Sequence, residues 1–279
     1  MNIEELIQKA FAEDLPSGDL TTDNLNLGVC AGRAKLIAKE DLILSGRDLF
    51  QACVHHLDPS AEIKWQFKEG DLILDRQIVA ALSGDLTKLL KAERVALNFL
   101  GHLSGIATLT RCYVDAARGT RCKILDTRKT TPLLRRLEKA AVRCGGGFNH
   151  RMNLSSAVLI KENHICAAGG LTKAVAEIRS RFSGMIEVEC RTLEEVDLAV
   201  QERVSRILLD NMSTEEMREA RQRIPAIIEV EASGNMTLNR IAEVAALGID
   251  FISVGALTHS APCADFSLLF EWPNGGGPV

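Results

Sequence analysis

Two adjacent cations, Arg128 and Lys129, end a short apolar run in the stretch ILDTRKTT (residues 124–131). An arginine fork binds carboxylates through two parallel hydrogen bonds, whereas a lysine is a compact point charge that suits phosphates. Between residues 121 and 161 there are ten Lys and Arg residues but only two acids, although the whole chain has a net charge of -4. The sequence therefore predicts a local site for a ligand that carries several negative charges.

Part of this positive charge has a simpler interpretation. Arg135, Arg136 and Lys139 lie in a helix-like stretch, where they would form a solvated basic face. Arg151 and Lys161 instead flank apolar runs, as the first pair of cations does. We therefore assign the cations at the ends of apolar runs to the ligand and the helical ones to the surface.

Short apolar runs recur through the second half of the chain, with helix-like segments between them. The runs are KILDTR (123–128), AVLIKEN (157–163), MIEVEC (185–190), RILLDN (206–211), AIIEVEASG (226–234) and DFISVGAL (250–257). Capping-box patterns at TLEE (192–195) and STEE (213–216) open two of the helices. This alternation predicts right-handed parallel βαβ units in a closed or nearly closed α/β barrel, with room for another strand at 142–150. An open doubly wound sheet is the alternative, but the G-x-G-x-x-G motif that would support it is absent.

Each apolar run is followed or interrupted by residues that are out of place in a core. They are Arg128 and Lys129, Lys161 and Asn163, Glu187 and Glu189, Asp210 and Asn211, Glu229, Glu231 and Ser233, and Gly255. In α/β barrels the carboxyl ends of the strands carry the active site. Helix capping would explain one such ending, but a succession that mixes cations and acids predicts one shared catalytic site.

The first hundred residues have a different pattern. GRAKLIAKEDLILSG, EIKWQFKEGDLIL and QIVAALSGDL are typical of short strands joined by Gly and Asp turns. Residues 86–117 form a long helical pattern with an interruption at Ser104-Gly105, and ADFSLLFEWP (264–273) has the pattern of a strand. We predict an α+β open-sandwich domain over residues 1–105, to which the tail 262–279 returns with a frayed end, and a barrel domain over residues 106–261.

The composition excludes several classes of protein. Apolar residues make up 46% and charged residues 25%, and a net charge of -4 gives no reason to expect a nucleic-acid or membrane partner. No apolar run has the length of a membrane span, and the acidic start MNIEELIQKAFAEDL is not a secretory signal. The eight cysteines form no C-x-x-C pair, which favours reduced, mostly buried thiols in a cytoplasmic protein over a zinc cluster or a disulfide framework.

Several motifs, taken in order, carry a resemblance to a known family. They are EDLPSGDLTT (13–22), ERVALNFLGHLSGIAT (93–108), LDTRKTTP (125–132), RCGGGFNHRMNL (143–154), LIKENHI (159–165), EVE (187–189), LDNMS (209–213), EASGN (231–235) and ISVGALTHS (252–260). Together they resemble the quinolinate phosphoribosyltransferases, also called nicotinate-nucleotide pyrophosphorylases (carboxylating). The resemblance covers nearly the whole chain.

The resemblance implies an α/β fold in which an N-terminal α+β open sandwich precedes an incomplete, roughly seven-stranded α/β barrel. It implies a pentosyltransferase that joins quinolinate to phosphoribosyl pyrophosphate, with Mg²⁺, and forms nicotinate mononucleotide, pyrophosphate and CO2. It also implies a homodimer, open to further assembly, in which the first domain of one subunit covers the barrel of the other.

For quinolinate, which carries two adjacent carboxylates, the resemblance implies Arg128, Arg151 and Lys161 as ligands, with His150 nearby. Arg94 would reach in from the partner subunit. Each of the last two has an alternative: Arg94 would otherwise form a surface ion pair with Glu93, and His150 would otherwise be a buried core histidine.

For phosphoribosyl pyrophosphate, the resemblance implies that Lys129 binds the pyrophosphate. Glu189 and Asp210 would face the ribose hydroxyls and Mg²⁺, directly or through substrate or water. The late loops would bind phosphate with Ser233, Gly234, Asn235, Gly255 and His259. The expected catalytic residues are thus Lys129, Lys161, Glu189 and Asp210. Asn235 departs from the family pattern, in which a third small residue is common.

Three rival functions stay open at this point. One is a related phosphoribosyltransferase-like protein that acts on another acid, and another is a Schiff-base aldolase that uses Lys161. The third is a non-catalytic binding relative. The main interpretation also makes a geometric demand: adjacent strand residues point to opposite faces, so the chain must turn at Arg128 if Arg128 and Lys129 serve one site.

Overall fold

The computed structural model describes residues 2–25, 27 and 30–271 of the 279-residue chain. The predicted frayed end, 274–279, lies outside the described residues. The chain falls into two compact units, of which the first comprises Met1–Leu109, Ala140–Gly146 and Ala261–Val279, and the second Thr110–Lys139 and Gly147–Ser260. The domain boundaries inferred from the sequence, 105/106 and 261/262, stay predictions.

Helices and strands are numbered here in chain order. The helices are α1 (Ile3–Asp14), α2 (Leu20–Asn24), α3 (Arg47–Leu57), α4 (Leu86–Ala116), α5 (Arg135–Cys144), α6 (Glu162–Ala168), α7 (Leu171–Arg179), α8 (Leu193–Gln201), α9 (Thr214–Arg223), α10 (Leu238–Ala246) and α11 (Ala256–His259). The strands are β1 (Ala31–Ala38), β2 (Leu42–Ile43), β3 (Glu62–Trp65), β4 (Leu72–Ile73), β5 (Ile78–Asp85), β6 (Lys123–Leu125), β7 (Val158–Ile160), β8 (Ile186–Cys190), β9 (Arg206–Asp210), β10 (Glu229–Ser233), β11 (Phe251–Ser253) and β12 (Phe266–Glu271).

The second unit is built on a six-stranded sheet in the order β6-β11-β10-β9-β8-β7. Every pairing in it is parallel, and each strand coincides with one of the predicted apolar runs. Strands β6 and β7 are its two edges among the described residues, so the barrel is incomplete. The predicted α/β fold class is confirmed.

The seventh strand predicted near 142–150 is reduced to a single residue. Phe148 forms an isolated parallel bridge with Leu125 on the free side of β6. Its N–H donates to the carbonyl of Ile124 at 2.8 Å, and its own carbonyl accepts from the N–H of Asp126 at 3.1 Å. One bridge ties this segment to the sheet without forming a ladder.

Local sequence explains the regularity of this unit. The central strands are buried nearly throughout, which fits a parallel sheet whose two faces are covered. Thr192 caps α8 by accepting from the N–H of Glu195, and Ser213 forms a reciprocal capping box with Glu216 at α9. Both predicted capping patterns therefore begin helices where the sequence placed them.

The first unit contains a four-stranded antiparallel sheet in the order β12-β1-β5-β3. Its central strand β1 alternates between exposed and buried residues, as expected when one face packs against a core. Strands β2 and β4 form a separate two-stranded pair. The late strand β12 lies antiparallel beside β1, with Phe266 opposite Ala38.

Helix α4 runs without a break from Leu86 to Ala116, so the predicted interruption at Ser104-Gly105 is wrong. The two small residues serve packing instead. The hydroxyl of Ser104 accepts from the N–H of Ser45 and donates to its carbonyl, both at 3.0 Å. At Gly105, an added Cβ would lie 1.9 Å from the carbonyl oxygen of Pro262, so only glycine admits that backbone.

Gly105→Ala should therefore destabilise the protein by about 1–3 kcal/mol, because the steric conflict with Pro262 exceeds the gain in helix propensity. Chemical denaturation would measure the free energy of unfolding. Asn98→Ala, at an exposed position of the same helix, is the control and should be neutral or slightly stabilising. An equally stable Gly105→Ala variant would show that the contact at this position relaxes without cost.

No helix within the described part of the chain is both long and apolar enough to cross a lipid bilayer. All eight cysteines fall among the described residues, and each is a free thiol. The prediction of reduced cysteines over a disulfide framework stays a prediction, and the expectation that most of them are buried is wrong, since only Cys53 and Cys190 are buried.

Candidate active site

The chain bends where Arg128 and Lys129 leave the sheet. Strand β6 ends at Leu125, and Arg128 lies at a bend. The N–H of Thr130 donates to the carbonyl of Arg128 at 2.9 Å, and the N–H of Lys129 donates to the Thr127 hydroxyl at 3.0 Å. The predicted turn at Arg128 is confirmed, and both cationic side chains are exposed.

Arg135 braces this bend instead of forming part of a solvated helix face. Its guanidinium donates to the hydroxyl of Thr130 at 2.9 Å and to the carbonyls of Arg128 at 3.3 Å and Met152 at 3.2 Å. The surface prediction is wrong for Arg135 because three oxygens of two loops converge on it. It holds for Arg136, which is exposed.

Lys139, also predicted as a surface cation, is fully buried against Asp126, which is 0% exposed. Its Nζ contacts a carboxylate oxygen of Asp126 and donates to the carbonyl of His150 at 2.9 Å. Burial raises the pKa of Asp126 and lowers that of Lys139, and each partner opposes the shift of the other. This ion pair ties the end of β6 to the segment that carries His150 and Arg151.

Lys161 and Glu189 meet at the ends of neighbouring strands. Lys161 directly follows β7 and caps α6, whereas Glu189 lies on β8. The Lys161 ammonium contacts Glu189 Oε2, and the lysine side chain stays 45% exposed. This places a cation and an acid side by side with access to solvent.

The ends of β9 and β10 bring Asp210, Ser233 and Gly234 together through Asn211. The N–H of Asn211 donates to the carbonyl of Ser233 at 3.0 Å, and its side-chain amide donates to Asp210 Oδ2 at 2.7 Å. An added Cβ on Gly234, whose φ is +83°, would lie 2.2 Å from Asn211 Oδ1. Asn235 follows in the left-handed region and donates to the same oxygen at 3.3 Å. Glycine is thus required at position 234.

The loop after β11 meets the bend after β6. The Thr258 hydroxyl donates to the carbonyl of Lys129 at 2.8 Å. An added Cβ on Gly255 would lie 3.1 Å from both Lys129 Cδ and His259 Nε2. Lys129, Gly255 and His259 therefore form one local group, as a common anion-binding role would require.

Arg151 and Arg128 are close enough to affect each other electrostatically. Burial lowers the pKa of Arg151, and the positive charge of Arg128 lowers it further. The Arg151 guanidinium donates to the carbonyl of Ala157 at 2.9 Å. An additional negative charge near these two cations would relieve their repulsion.

His150 points into a buried charged group inside the sheet. Its Nε2 lies 3.4 Å from Glu187 Oε2 and 3.5 Å from Glu231 Oε1. Arg206 donates to Glu231 Oε2 at 3.0 Å, and the Ser253 hydroxyl donates to the other oxygen of Glu231. The predicted contact between His150 and substrate stays a prediction, since both ring nitrogens have protein partners.

Arg94 is exposed on α4 and belongs to the first unit, whereas the residues described above belong to the second. Its neighbour Glu93 is half-buried; burial raises its pKa, and the charge of Arg94 opposes that rise. The contribution of Arg94 across a subunit interface stays a prediction.

Comparison with known families supports the motif reading along nearly the whole chain. The family described as quinolinate phosphoribosyl transferase, C-terminal domain, matches residues 106–269, and its N-terminal domain matches residues 19–104. The chain belongs to the quinolinate phosphoribosyltransferase family.

Relatives agree over almost their full length. The chain is 44% identical over 272 residues to a probable nicotinate-nucleotide pyrophosphorylase [carboxylating] of Synechocystis sp., covering 95% of this chain and 92% of the relative. It is 38% identical over 270 residues to a protein of the same name from Bacillus subtilis, covering 96% and 93%. The crystal structure of NadC from Streptococcus pyogenes superposes with a TM-score of 0.92 at 42% identity, covering 96% of each chain.

In this member of the quinolinate phosphoribosyltransferase family, three residues of the candidate site were not identified from the sequence: Arg206, Asp126 and Lys139. Arg206 begins the run RILLDN, and only the strand register places it opposite Glu187 on one side and Glu229 on the other. The sequence signal for Arg206 was its position as a lone basic residue at the start of an apolar run. One EVE motif precedes that run (187–189) and another follows it (229–231).

The buried carboxyl of Glu231 predicts a pH dependence of stability. Burial and the negative charge of Glu187 raise the pKa of Glu231 from 4.5 to about 7. The folded state therefore holds this proton more tightly than the unfolded state does. The resulting stabilisation is complete below pH 4.5 and is lost as pH rises through about 7.

We expect Glu231→Gln to weaken the fall in the free energy of unfolding between pH 4.5 and about 7. Urea denaturation at several pH values would measure it. Glu243→Gln, at an exposed position, is the control and should keep the wild-type slope. An unchanged slope in Glu231→Gln would contradict the role of this carboxyl.

Proposed function

We propose that this chain transfers the phosphoribosyl group of phosphoribosyl pyrophosphate to quinolinate, with decarboxylation, to give nicotinate mononucleotide, pyrophosphate and CO2. This is a step of de novo NAD biosynthesis. The observation that carries the proposal is the set of cations and acids at the carboxyl ends of one parallel sheet, in a chain that belongs to the quinolinate phosphoribosyltransferase family. Relatives named for this carboxylating reaction support it.

Arg128, Arg151 and Lys161 are assigned to the two carboxylates of quinolinate. Arg128 and Arg151 repel each other in the absence of an anion, which favours a ligand that carries two negative charges. Lys161 is already paired with Glu189. A quinolinate carboxylate that replaced Glu189 as the partner of Lys161 would leave Glu189 free to bind another cation or a hydroxyl.

Phosphoribosyl pyrophosphate is assigned to a second set of residues at the strand ends. Lys129 is assigned to pyrophosphate, and Glu189 and Asp210 to the ribose hydroxyls. Residues of the two late loops are assigned to phosphate: Ser233, Gly234, Asn235, Gly255 and His259. The close backbone approach at Gly234 and the grouping of Lys129, Gly255 and His259 support this assignment.

Mg²⁺ is proposed as the metal that accompanies phosphoribosyl pyrophosphate. The donor set fits, because Glu189 and Asp210 offer carboxylate oxygens, the hard ligands that Mg²⁺ prefers. One carboxylate oxygen of Glu189 contacts the Lys161 ammonium, and one of Asp210 accepts a hydrogen bond from the Asn211 side-chain amide. Bound Mg²⁺ would neutralise charge on the departing pyrophosphate.

The chemistry needs no covalent intermediate with the protein. The lone pair of the pyridine nitrogen forms a bond to the anomeric carbon as the bond from that carbon to the pyrophosphate oxygen breaks. The ring nitrogen becomes cationic and stabilises the electron pair that stays on the adjacent ring carbon when the carboxylate leaves as CO2. A proton then adds to the ring carbon. Lys129 stabilises the leaving group, while the remaining cations orient the ring.

A homodimer, with or without further assembly, is proposed as the active form, with Arg94 supplied by the partner subunit. The exposure of Arg94 on α4 supports this assignment. Mixing inactive Arg94→Ala with inactive Lys161→Ala would test it, because a mixed dimer would regain one intact site. If both variants are dimeric and their mixture still has no activity, the shared site is contradicted.

The cytoplasm is proposed as the compartment, since eight free thiols suit reducing conditions.

The decisive experiment supplies the protein with quinolinate, phosphoribosyl pyrophosphate and Mg²⁺ and measures pyrophosphate and CO2 in equal amounts. Nicotinate, which lacks the second carboxylate, is offered in parallel. We expect turnover of quinolinate and none of nicotinate. Turnover of nicotinate but not quinolinate would overturn the proposal, and turnover of neither would favour a binding relative.

A further inference from the structure

The buried group of His150, Glu187 and Glu231 has no part in the steps described above. Glu231 is 0% exposed and Glu187 is 7% exposed, although both are carboxylates inside the sheet. One oxygen of Glu187 is buried without a hydrogen-bond partner. Burying such groups is costly unless they are paired, so their retention calls for a function.

The hydrogen bonds of His150 fix the position of its proton. The backbone N–H of Arg151 donates to Nδ1 of His150 at 2.7 Å, so Nδ1 carries a lone pair. The ring proton therefore lies on Nε2, which faces Glu187 and Glu231. The two carboxylates hold one imidazole in one tautomer and one orientation.

The same three residues could in principle hold a cation, since their ligand atoms lie within 4.8 Å of one another. The hydrogen bonds oppose this interpretation. A metal ion would need a deprotonated Nε2, and the proton would then move to Nδ1, where it would face the N–H of Arg151. Arg206 and Ser253 already occupy both oxygens of Glu231.

The backbone around His150 is anchored from the other side as well. Its N–H donates to Asp126 Oδ1 at 2.9 Å, and its carbonyl accepts from Lys139 Nζ at 2.9 Å. The Arg151 side chain is anchored by the carbonyl of Ala157. The remaining support for Arg151 is the hydrogen bond between its own N–H and the ring of His150.

We propose that Glu187 and Glu231 are positioning residues for Arg151, because they hold the His150 ring in the orientation that anchors the Arg151 backbone. This inference rests on the proposed function, in which Arg151 binds a carboxylate of quinolinate. The proposal makes quinolinate binding depend on the protonation of His150. In a doubly protonated ring Nδ1 also carries a proton, so it can no longer accept the hydrogen bond from the N–H of Arg151.

The charges around the ring set the direction of this dependence. Burial lowers the pKa of His150, but the carboxylates of Glu187 and Glu231 outweigh it and raise the pKa overall. Arg206 on β9 opposes them, while Glu229 on β10 faces Arg206 and not the ring. Two further charges act on Arg151 itself: Arg128 lowers its pKa, and the carboxylate of Glu187 opposes that shift. Removing one carboxylate should therefore let His150 stay neutral at lower pH.

The test is the pH dependence of quinolinate binding and turnover in Glu187→Gln and Glu231→Gln. In Glu187→Gln the acid limb of kcat/KM for quinolinate should move to lower pH by about one unit. Glu231→Gln should move it less, because Glu231 is itself largely protonated below about pH 7. KM for phosphoribosyl pyrophosphate should stay within about twofold, because the effect passes through Arg151 alone. Glu229→Gln is the matched control, since it removes a carboxylate from Arg206 but none from His150, and it should keep the wild-type limb.

A second measurement does not depend on activity. The ¹⁵N spectrum of the histidines, assigned for His150 with His150→Gln, should show the tautomer protonated at Nε2. A tautomer protonated at Nδ1 would overturn the inference, as would unchanged acid limbs in both carboxylate variants while the wild type turns over quinolinate. Failure of the wild type to bind quinolinate would instead overturn the proposed function, and the role given to Arg151 with it.

Discussion

Arg128→Ala is expected to lower kcat/KM for quinolinate by about 10- to 100-fold. A hydrogen-bonded pair between charged groups contributes about 1.5–3 kcal/mol, and each 1.36 kcal/mol is roughly a tenfold change in rate. The guanidinium is exposed at a bend beside Arg151, so its loss removes half of the cationic pair that we assign to quinolinate.

The same substitution should leave the fold intact. The bend is held by main-chain groups, through Thr130 and through Arg135, which bonds to the carbonyl of Arg128 and not to its side chain. We expect thermal unfolding to stay near wild type. Steady-state kinetics with each substrate varied in turn would show the loss mainly in kcat/KM for quinolinate and less in kcat/KM for phosphoribosyl pyrophosphate.

Two further variants complete this experiment. Arg136→Ala removes an exposed arginine from the adjacent helix and should keep full activity. Arg128→Lys keeps the charge but loses the fork, so it should recover only part of the loss. Full activity in Arg128→Ala would remove Arg128 from the site.

Lys139→Met should have the largest effect on stability, about 3–5 kcal/mol. It keeps most of the side-chain volume but leaves the Asp126 carboxylate buried without its cation. It also removes the bond from Nζ to the carbonyl of His150, so the end of β6 and the His150 segment lose a shared anchor. Urea denaturation at neutral pH would measure the free energy of unfolding.

A double variant separates charge from packing. Lys139→Met combined with Asp126→Asn removes both charges, so the double variant should be less destabilised than the sum of the two single ones. Arg136→Ala again serves as the surface control. A loss under about 1 kcal/mol in Lys139→Met, the range of an exposed pair, would contradict the buried role of the lysine.

The sequence allowed the strands of the second unit and the polar groups at their ends to be predicted, because both follow from local patterns. Apolar runs of strand length mark a sheet covered on two faces, and capping residues mark where helices begin. The bend at Arg128 followed from strand alternation together with the assignment of Arg128 and Lys129 to one site. Lys161, Glu189 and Asp210 were found in this way.

The misses share one physical cause, which is that burial depends on contacts distant along the chain. Lys139 resembles its helical neighbour Arg136 in sequence, yet Asp126 lies against one and solvent against the other. Ser104 and Gly105 have the composition of a helix break, but the approach of Pro262 explains them. Arg206 gained its partners only from the register of β9 with β8 and β10.

The edge position of β7 links ligand affinity to local opening of the fold. Among the described strands β7 pairs with β8 alone, and it lies between Arg151 and Lys161, two of the cations assigned to the dicarboxylate. An edge strand of three residues is the element of this sheet that should open with the lowest free energy. A ligand that joins both cations closes that edge from outside, so the amide hydrogens of β7 and β8 should exchange more slowly once quinolinate is bound. Bound quinolinate would then stabilise an edge of the sheet that no neighbouring strand among those described protects.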